Sequence, residues 1–319
     1  MSDIFPDVPL DRFAKAFLEG IPFARAAGMA PGTMSPGRAS VTMQASKHWT
    51  GYATAGHIHP GCLTVLADTA CGVAVGAAMN PIEPYATLDL RMDYLRPAKA
   101  GSALRCDAHC HRLSRSVAFV RGEVFQEGSD EAVAAVNATF MLSTANVRRQ
   151  DVPASASAKP LADAVGPADG APQPQAPWHG ELAVTPELSP YAAFLGIERQ
   201  VATDGQEGDV YRMPFKPELI GNPVLPALHG GVVGGFAETA ALLHLIFTNP
   251  QVAGSEVSSP RGVDFAIDYL RSAKPIDTFA RCTTIRQGSR VALVHVTVWQ
   301  DDPSRPIVSA RSHCLLPRH

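Results

Sequence analysis

Residues 56–79 run almost without charge through Ala, Gly, Val, Leu and Cys, and residues 228–248 repeat the pattern. Each run is too long for a strand and apolar at every angle around a helix, so both predict long helices that other structure must enclose. Around them the period changes. Residues 38–45, 103–112 and 117–125 in the first half of the chain, and 209–215 and 291–299 in the second, alternate or are rich in Val and aromatic residues, as strands are. In 103–112, Leu104, Cys106, Ala108 and Cys110 fall on one face. A short amphipathic stretch, 10–18, predicts a helix ahead of the first set. A single antiparallel sheet wrapped around each long helix is the simplest enclosure, and the fold class is α+β.

The two apolar runs are copies. His59-Pro60-Gly61 opens one and His229-Gly230-Gly231 the other; nine residues after each histidine stands a carboxylate, Asp68 or Glu238, followed both times by Thr-Ala. Further correspondences follow in the same order. Leu88-Asp89-Leu90-Arg91-Met92-Asp93-Tyr94-Leu95-Arg96-Pro97-Ala98-Lys99 matches Val263-Asp264-Phe265-Ala266-Ile267-Asp268-Tyr269-Leu270-Arg271-Ser272-Ala273-Lys274, Ser114-Arg115 matches Ser289-Arg290, and the strand-like 134–142 matches 307–316. The chain is a duplication. Between the copies, residues 151–180 hold eight Ala and six Pro, a composition that buries little side-chain surface. This predicts an N-terminal domain over 1–145, a linker over 146–183 and a C-terminal domain over 184–319.

Composition narrows the function. The 319 residues are 46% hydrophobic and 18% charged with a net charge of −3, and no basic cluster runs along the chain, which sets nucleic acid aside as a partner. Acids and prolines at the start of the chain, and the expectation that no uninterrupted apolar run reaches spanning length, point to a cytoplasmic protein without a membrane partner. Six cysteines lack the spacing of a disulfide framework. Cys106-Asp107-Ala108-His109-Cys110-His111 gathers metal-binding residue types, but strand alternation divides the thiols from the imidazoles, and no metal is expected.

An apolar helix with one acid, repeated, together with His-Gly-Gly and Tyr-x-x-Pro-Ala, resembles the hotdog-fold acyl-CoA thioesterases of the phenylacetate-pathway type. The resemblance covers nearly all of both halves except the linker. It implies two hotdog domains paired through their sheets as a pseudo-dimer, with helices antiparallel and active sites between them. It also implies an acyl-CoA substrate, coenzyme A only as part of that substrate and no separate cofactor, and further homo-oligomerisation of the tandem chain.

Geometry supports a shared site independently. The backbone N–H after the histidine and the carboxylate lie eight residues apart, about 12 Å along a helix, too far for both to act on one carbonyl. Each carboxylate therefore works with the other half's helix start: Asp68 with Gly230, Glu238 with the Pro60 position. Gly230 can donate to an oxyanion and Pro60 cannot. The resemblance adds Thr87 as a water-positioning hydroxyl, against Gly262 in the other copy, and Asn222 as the amide before the histidine. One competent site is expected from Asp68, Thr87, Asn222, His229 and Gly230, and one degenerate site from Glu238, His59, Pro60 and Gly262. Asp68 acts as general base or as nucleophile, and the sequence does not choose between them. Arg96, Arg115, Arg271 and Arg290, at matching positions, are candidates for the phosphates of coenzyme A or ordinary solvated charges. A hotdog enoyl-CoA hydratase or dehydratase and a non-catalytic acyl-CoA-binding protein are the alternatives.

Overall fold

The computed structural model describes residues 9–52, 56–142, 182–202, 207–222, 226–249, 252 and 259–317. The first half opens with helices α1 (Leu10–Gly20) and α2 (Pro22–Ala26) and strands β1 (Met29–Ser35) and β2 (Arg38–Met43). The long helix α3 (Pro60–Ala78) follows, then β3 (Tyr85–Tyr94), β4 (Leu104–Leu113), β5 (Val117–Gln126) and β6 (Ala134–Leu142). The second half begins with β7 (Leu182–Ala183), α4 (Pro190–Leu195), β8 (Glu198–Gln200) and β9 (Val210–Met213). A small hairpin of β10 (Ile220–Asn222) and β11 (Ala227–Leu228) leads into α5 (Gly230–Thr248), after which come β12 (Arg261–Tyr269), β13 (Thr278–Gln287), β14 (Val291–Trp299) and β15 (Val308–Leu315). Apart from Leu182–Ala183, which pair with β8, the expected linker over 146–183 lies outside the described residues.

Both central helices start by the same device. His59 and His229 stand at the N-caps in extended conformation, and each Nδ1 accepts from the backbone N–H two residues on, at 3.0 Å. The cap satisfies one of the donors that every helix start leaves open. Pro60 at the first position of α3 forfeits an N–H that the helix does not need. Every residue of α3 from Gly61 to Ala77 is buried, and α5 is buried over most of its length.

This burial corrects one expectation from the sequence. Both helices, at 19 residues each, are long and apolar enough to span a bilayer by length and composition, but the protein's own sheet surrounds them. Their apolar faces are used up as core, where Leu66, Val73, Phe236 and Leu243 pack.

One antiparallel sheet of thirteen strands carries both halves, in the order β1-β2-β4-β5-β6-β3-β12-β15-β14-β13-β9-β8-β7. Its middle is the pairing of β3 with β12, where Arg91 faces Ala266 while Asp89 and Asp93 face Asp268 and Asp264. The matching positions of the two copies meet in reverse order, as a twofold relation requires. Strand β4 buries Leu104, Cys106 and Ala108 and turns Asp107 and His111 outward, as its alternation predicts. Strands β1 and β13 and helices α2 and α4 have no clear period: β1 carries Pro31-Gly32, β13 is largely polar, and the two helices have five and six residues.

Candidate active site

Where α3 and α5 cross, their backbones approach so closely that a Cβ at Gly231 would lie 2.8 Å from the Val65 Cα. This contact brings the side chain of Asp68, in the interior of α3, to the first turn of α5. Asp68 is buried, and both of its oxygens are bound: Oδ2 accepts from the Gly231 N–H at 2.6 Å and Oδ1 from the Thr87 hydroxyl at 2.9 Å. Thr87 sits on β3 at the register shift that separates it from Asp89. Gly230, half-buried, lies beside this carboxylate; a Cβ there would be 3.2 Å from Asp68 Oδ2 and 3.5 Å from Thr87 Oγ1. Its N–H has no hydrogen-bond partner among the described residues.

The tautomer of His229 follows from its neighbours. The Thr69 hydroxyl gives its proton to the Val65 carbonyl at 2.8 Å, so at 3.2 Å it accepts from His229 Nε2–H. That leaves Nδ1 as the acceptor for the Gly231 N–H, and burial, only partly opposed by the Asp68 charge, lowers the imidazole pKa and keeps the ring neutral. The 3.4 Å approach of His229 Nδ1 to Asp68 Oδ2 is therefore the convergence of two acceptors on one N–H rather than an ion pair. Tyr269 closes the arrangement by donating its hydroxyl to the Gly230 carbonyl at 2.8 Å. The α5 start thus presents a fixed, electropositive N–H beside a buried carboxylate, a pairing suited to stabilising an oxyanion while a base or nucleophile acts.

The corresponding place in the other direction is built differently. Glu238 is fully buried; its Oε2 accepts from the Thr64 hydroxyl at 3.0 Å and its Oε1 has no partner. Burial lifts its pKa to about 7, with bonds from Tyr94 and Thr64 pulling the other way. His59 Nε2 also lacks a partner, and desolvation lowers that imidazole to about 3. The β12 position matching Thr87 is Gly262, and the space above it is taken by the Tyr94 ring, 3.1 Å from where a Cβ would stand. Tyr94 in turn shares a 2.9 Å hydrogen bond with Thr64. Pro60, with no N–H, occupies the start of α3 where Gly230 occupies that of α5.

Asp68, Thr87, His229 and Gly230 are thus brought together; in the other copy a Cβ at Gly262 would lie 3.6 Å from Glu238 Oε1, and Gly262 lines a cavity with Pro60. Asn222 is exposed at the end of β10, in register with Ala227. Arg96, Arg115, Arg271 and Arg290 are all exposed; Arg96 is paired with Glu131, and Arg271 donates to the Pro306 carbonyl. Of the four, Arg96 borders a cavity of about 240 Å³ that Pro60, Tyr94 and Gly262 also line. His109 and His111 lie with ring centroids 6.4 Å apart, and no metal-binding group of three forms among the described residues. Sequence reasoning left out Thr69, Gly231 and Tyr269. Their signals were present, since Thr69 belongs to the repeated Thr-Ala and Tyr269 to the repeated strand motif, but what each touches depends on the helix crossing. Phe23 on α2 and Tyr191 on α4 pack on His229 and His59, with centroids 6.0 and 4.8 Å apart, and neither follows from sequence spacing.

Comparison with known proteins agrees with this architecture. The sequence profile of the thioesterase superfamily matches residues 55–133 and 225–307. A Pseudomonas aeruginosa protein bearing a provisional esterase name is 29% identical over 87 residues, which is 27% of this chain; the chain spans 63% of that relative's length. Two solved structures match the whole fold. A hot dog fold protein from Alicyclobacillus acidocaldarius is 12% identical with a TM-score of 0.59, covering 95% of this chain and 98% of its own. An acyl-CoA thioesterase II from Mycobacterium marinum is 13% identical with a TM-score of 0.54, covering 88% and 92%. At those identities the likeness establishes the fold: two hotdog domains in one chain.

Proposed function

Because the chain belongs to the thioesterase superfamily, we propose that it hydrolyses an acyl-CoA thioester at the site formed by Asp68 and the start of α5. The observation that carries this reading is the Asp68 carboxylate, buried but held by Gly231 N–H at 2.6 Å and Thr87 at 2.9 Å, beside the unpartnered Gly230 N–H. A thioester carbonyl resting on Gly230 N–H gains the α5 dipole as its negative charge develops, and the sulfur leaves as thiolate. Asp68 either takes a proton from the attacking water or attacks the acyl carbon itself, giving a mixed anhydride that water then cleaves. Thr87, bonded to Asp68 Oδ1, positions the water that attacks. Tyr269 and His229 are positioning residues, holding the first turn of α5 from its carbonyl and N–H sides.

Release of free thiol, measured across short, medium, long and aryl acyl-CoAs, tests the reading. Turnover above background that disappears in Asp68→Asn is expected; a flat profile at background would count against hydrolysis. A change in enoyl absorbance without thiol release would indicate a hydratase instead. Association of the tandem chain into larger assemblies is part of the same proposal. It is supported by Phe119 and Met141, exposed on the neighbouring strands β5 and β6, and is checked by sedimentation.

A further inference from the structure

His229 caps the helix that carries the candidate oxyanion donor, and it does so through Nδ1, which accepts from the Gly231 N–H. The groups that enclose its ring come from both halves of the chain. Gly221 on β10 leaves so little room that a Cβ there would lie 2.5 Å from the His229 Cα and 3.1 Å from Cδ2. On another side the Thr69 hydroxyl of α3 meets Nε2 at 3.2 Å. Phe23 of α2, itself buried, packs on the ring with centroids 6.0 Å apart and planes tilted by 45°. We propose that Phe23 is a positioning residue for the Asp68 site, acting through His229: it shields the imidazole from water and so keeps Nδ1 an acceptor at the start of α5. The inference rests on the reading of Asp68 and the α5 start as the hydrolytic site.

Phe23 reaches this place across the boundary between the halves. It belongs to the first half, yet α2 packs on β10 and on the single turn Pro217–Leu219 before it, both in the second half. The Leu219 carbonyl accepts the His229 N–H at 2.9 Å, so the segment under α2 also holds the backbone of the cap. Phe194 of α4 meets the Phe23 ring edge-on, at 6.5 Å and 72°. The exchange is reciprocal. From the second half, α4 lays Tyr191 on His59 at 4.8 Å, and the Tyr191 N–H donates to the Thr50 carbonyl at 3.1 Å.

Losing the Phe23 ring would change the chemistry of the site as well as its packing. Burial holds the His229 pKa below its ordinary 6.5, against the pull of Asp68. Asp68 is the charge that reaches the ring, its Oδ2 3.4 Å from Nδ1; Arg25 on α2 and Glu218 in the turn before β10 are exposed. Once water is admitted the ring takes up a proton at Nδ1, which becomes a donor and opposes the Gly231 N–H it had accepted. Nδ1–H then donates to Asp68 Oδ2, and a carboxylate so paired is a weaker base and nucleophile. Protonated His229 is therefore an inactive form, and Phe23 lowers the pH at which it accumulates.

The full-length chain carrying nitrogen-labelled histidine is titrated by NMR, with the His229 signals assigned through His229→Gln. In parallel, kcat for thiol release is followed against pH with the acyl-CoA that turns over fastest. Phe23→Ala is expected to move the His229 titration up toward its ordinary value and to carry the acid limb of kcat with it. The ratio of kcat at pH 6 to that at pH 8 should fall about threefold or more relative to wild type. Phe23→Leu keeps an apolar group on the ring and threatens the fold less, and should show the same shift to a smaller extent. Phe13→Ala removes the buried ring that packs over Gly76 of α3, and should lower Tm while leaving the titration and the acid limb in place. A titration or acid limb unmoved in both Phe23 variants, or moved equally by Phe13→Ala, overturns the proposal. Failure of the hydrolytic reading shows itself separately, as wild-type chain that releases no thiol while the His229 titration still responds to Phe23.

Discussion

Asp68 and Glu238 occupy matched positions in copies of one sequence, yet their surroundings differ in the groups that reach them. Two donors hold Asp68, one of them the Gly231 N–H, whereas the donors around Glu238 are side-chain hydroxyls alone and leave its Oε1 without a partner. Asp68→Asn is expected to lower turnover by about 10³-fold or more, and Glu238→Gln to retain most of it, in a thiol-release assay. Equal losses would contradict a single hydrolytic site. Gly230→Pro repeats at α5 what Pro60 does at α3: it suits the first helical position and removes the N–H, while adding a ring whose Cβ lies near Asp68. A fall of about 10²- to 10³-fold in kcat is expected from it. Gly230→Ala, which adds the same Cβ near Asp68 but keeps the N–H, controls for crowding and should lose much less.

Glu238 also gives the fold a dependence on pH. Its carboxyl titrates near 7 when folded, because burial opposes ionisation, against an ordinary value of 4.5. A raised acid binds its proton more tightly in the folded state, so the penalty is absent below pH 4.5, grows as pH rises and is complete above about 7. Glu238→Gln should therefore melt progressively higher relative to wild type between pH 5 and pH 8, by up to about 3 kcal/mol. A pH-independent difference in Tm would show that the carboxyl does not titrate in this range. His59 acts at the other end: its folded pKa of about 3 means stability is lost as pH falls below 6.5.

The crossing of α3 over α5 decides which groups can meet. Gly231 lets the helices touch, and Gly235 sits opposite Gly61, with a Cβ there only 3.1 Å from the Gly61 carbonyl. A Gly231→Ala methyl would press on the Val65 backbone at 2.8 Å and on the Asp68 Cβ at 3.0 Å, and backbone cannot rotate away. Destabilisation of about 1–3 kcal/mol is expected in chemical denaturation, with a loss of activity larger than the loss of stability accounts for, since Asp68 moves with the helix. Stability and kinetics indistinguishable from wild type would mean that the crossing is looser than this. Elements with strong periodicity were legible in advance: β14 spans Val291–Trp299 and β6 spans Ala134–Leu142, both as the sequence predicts. Element ends were less so, because caps and edges depend on partners; α3 begins at Pro60 rather than near 56. β1 and β13 went unseen because their pairing with β2, β9 and β14, rather than any period of their own, makes them strands.

Across the molecule, the β3–β12 seam joins the halves into one sheet and fixes which helix start faces which carboxylate. The duplication, the enclosed helices and the carboxylates were readable from residue order, since burial period and repetition are written along the chain. The chemical asymmetry was partly readable too, because Pro60 and Gly262 lack atoms whatever surrounds them. The partners were not. That the Gly231 N–H rather than the Gly230 N–H binds Asp68 and that Tyr94 fills the space above Gly262 both depend on distances of a few ångströms between residues more than 150 positions apart in sequence. Such contacts follow from how closely two packed helices approach, and no local pattern along the chain encodes that separation.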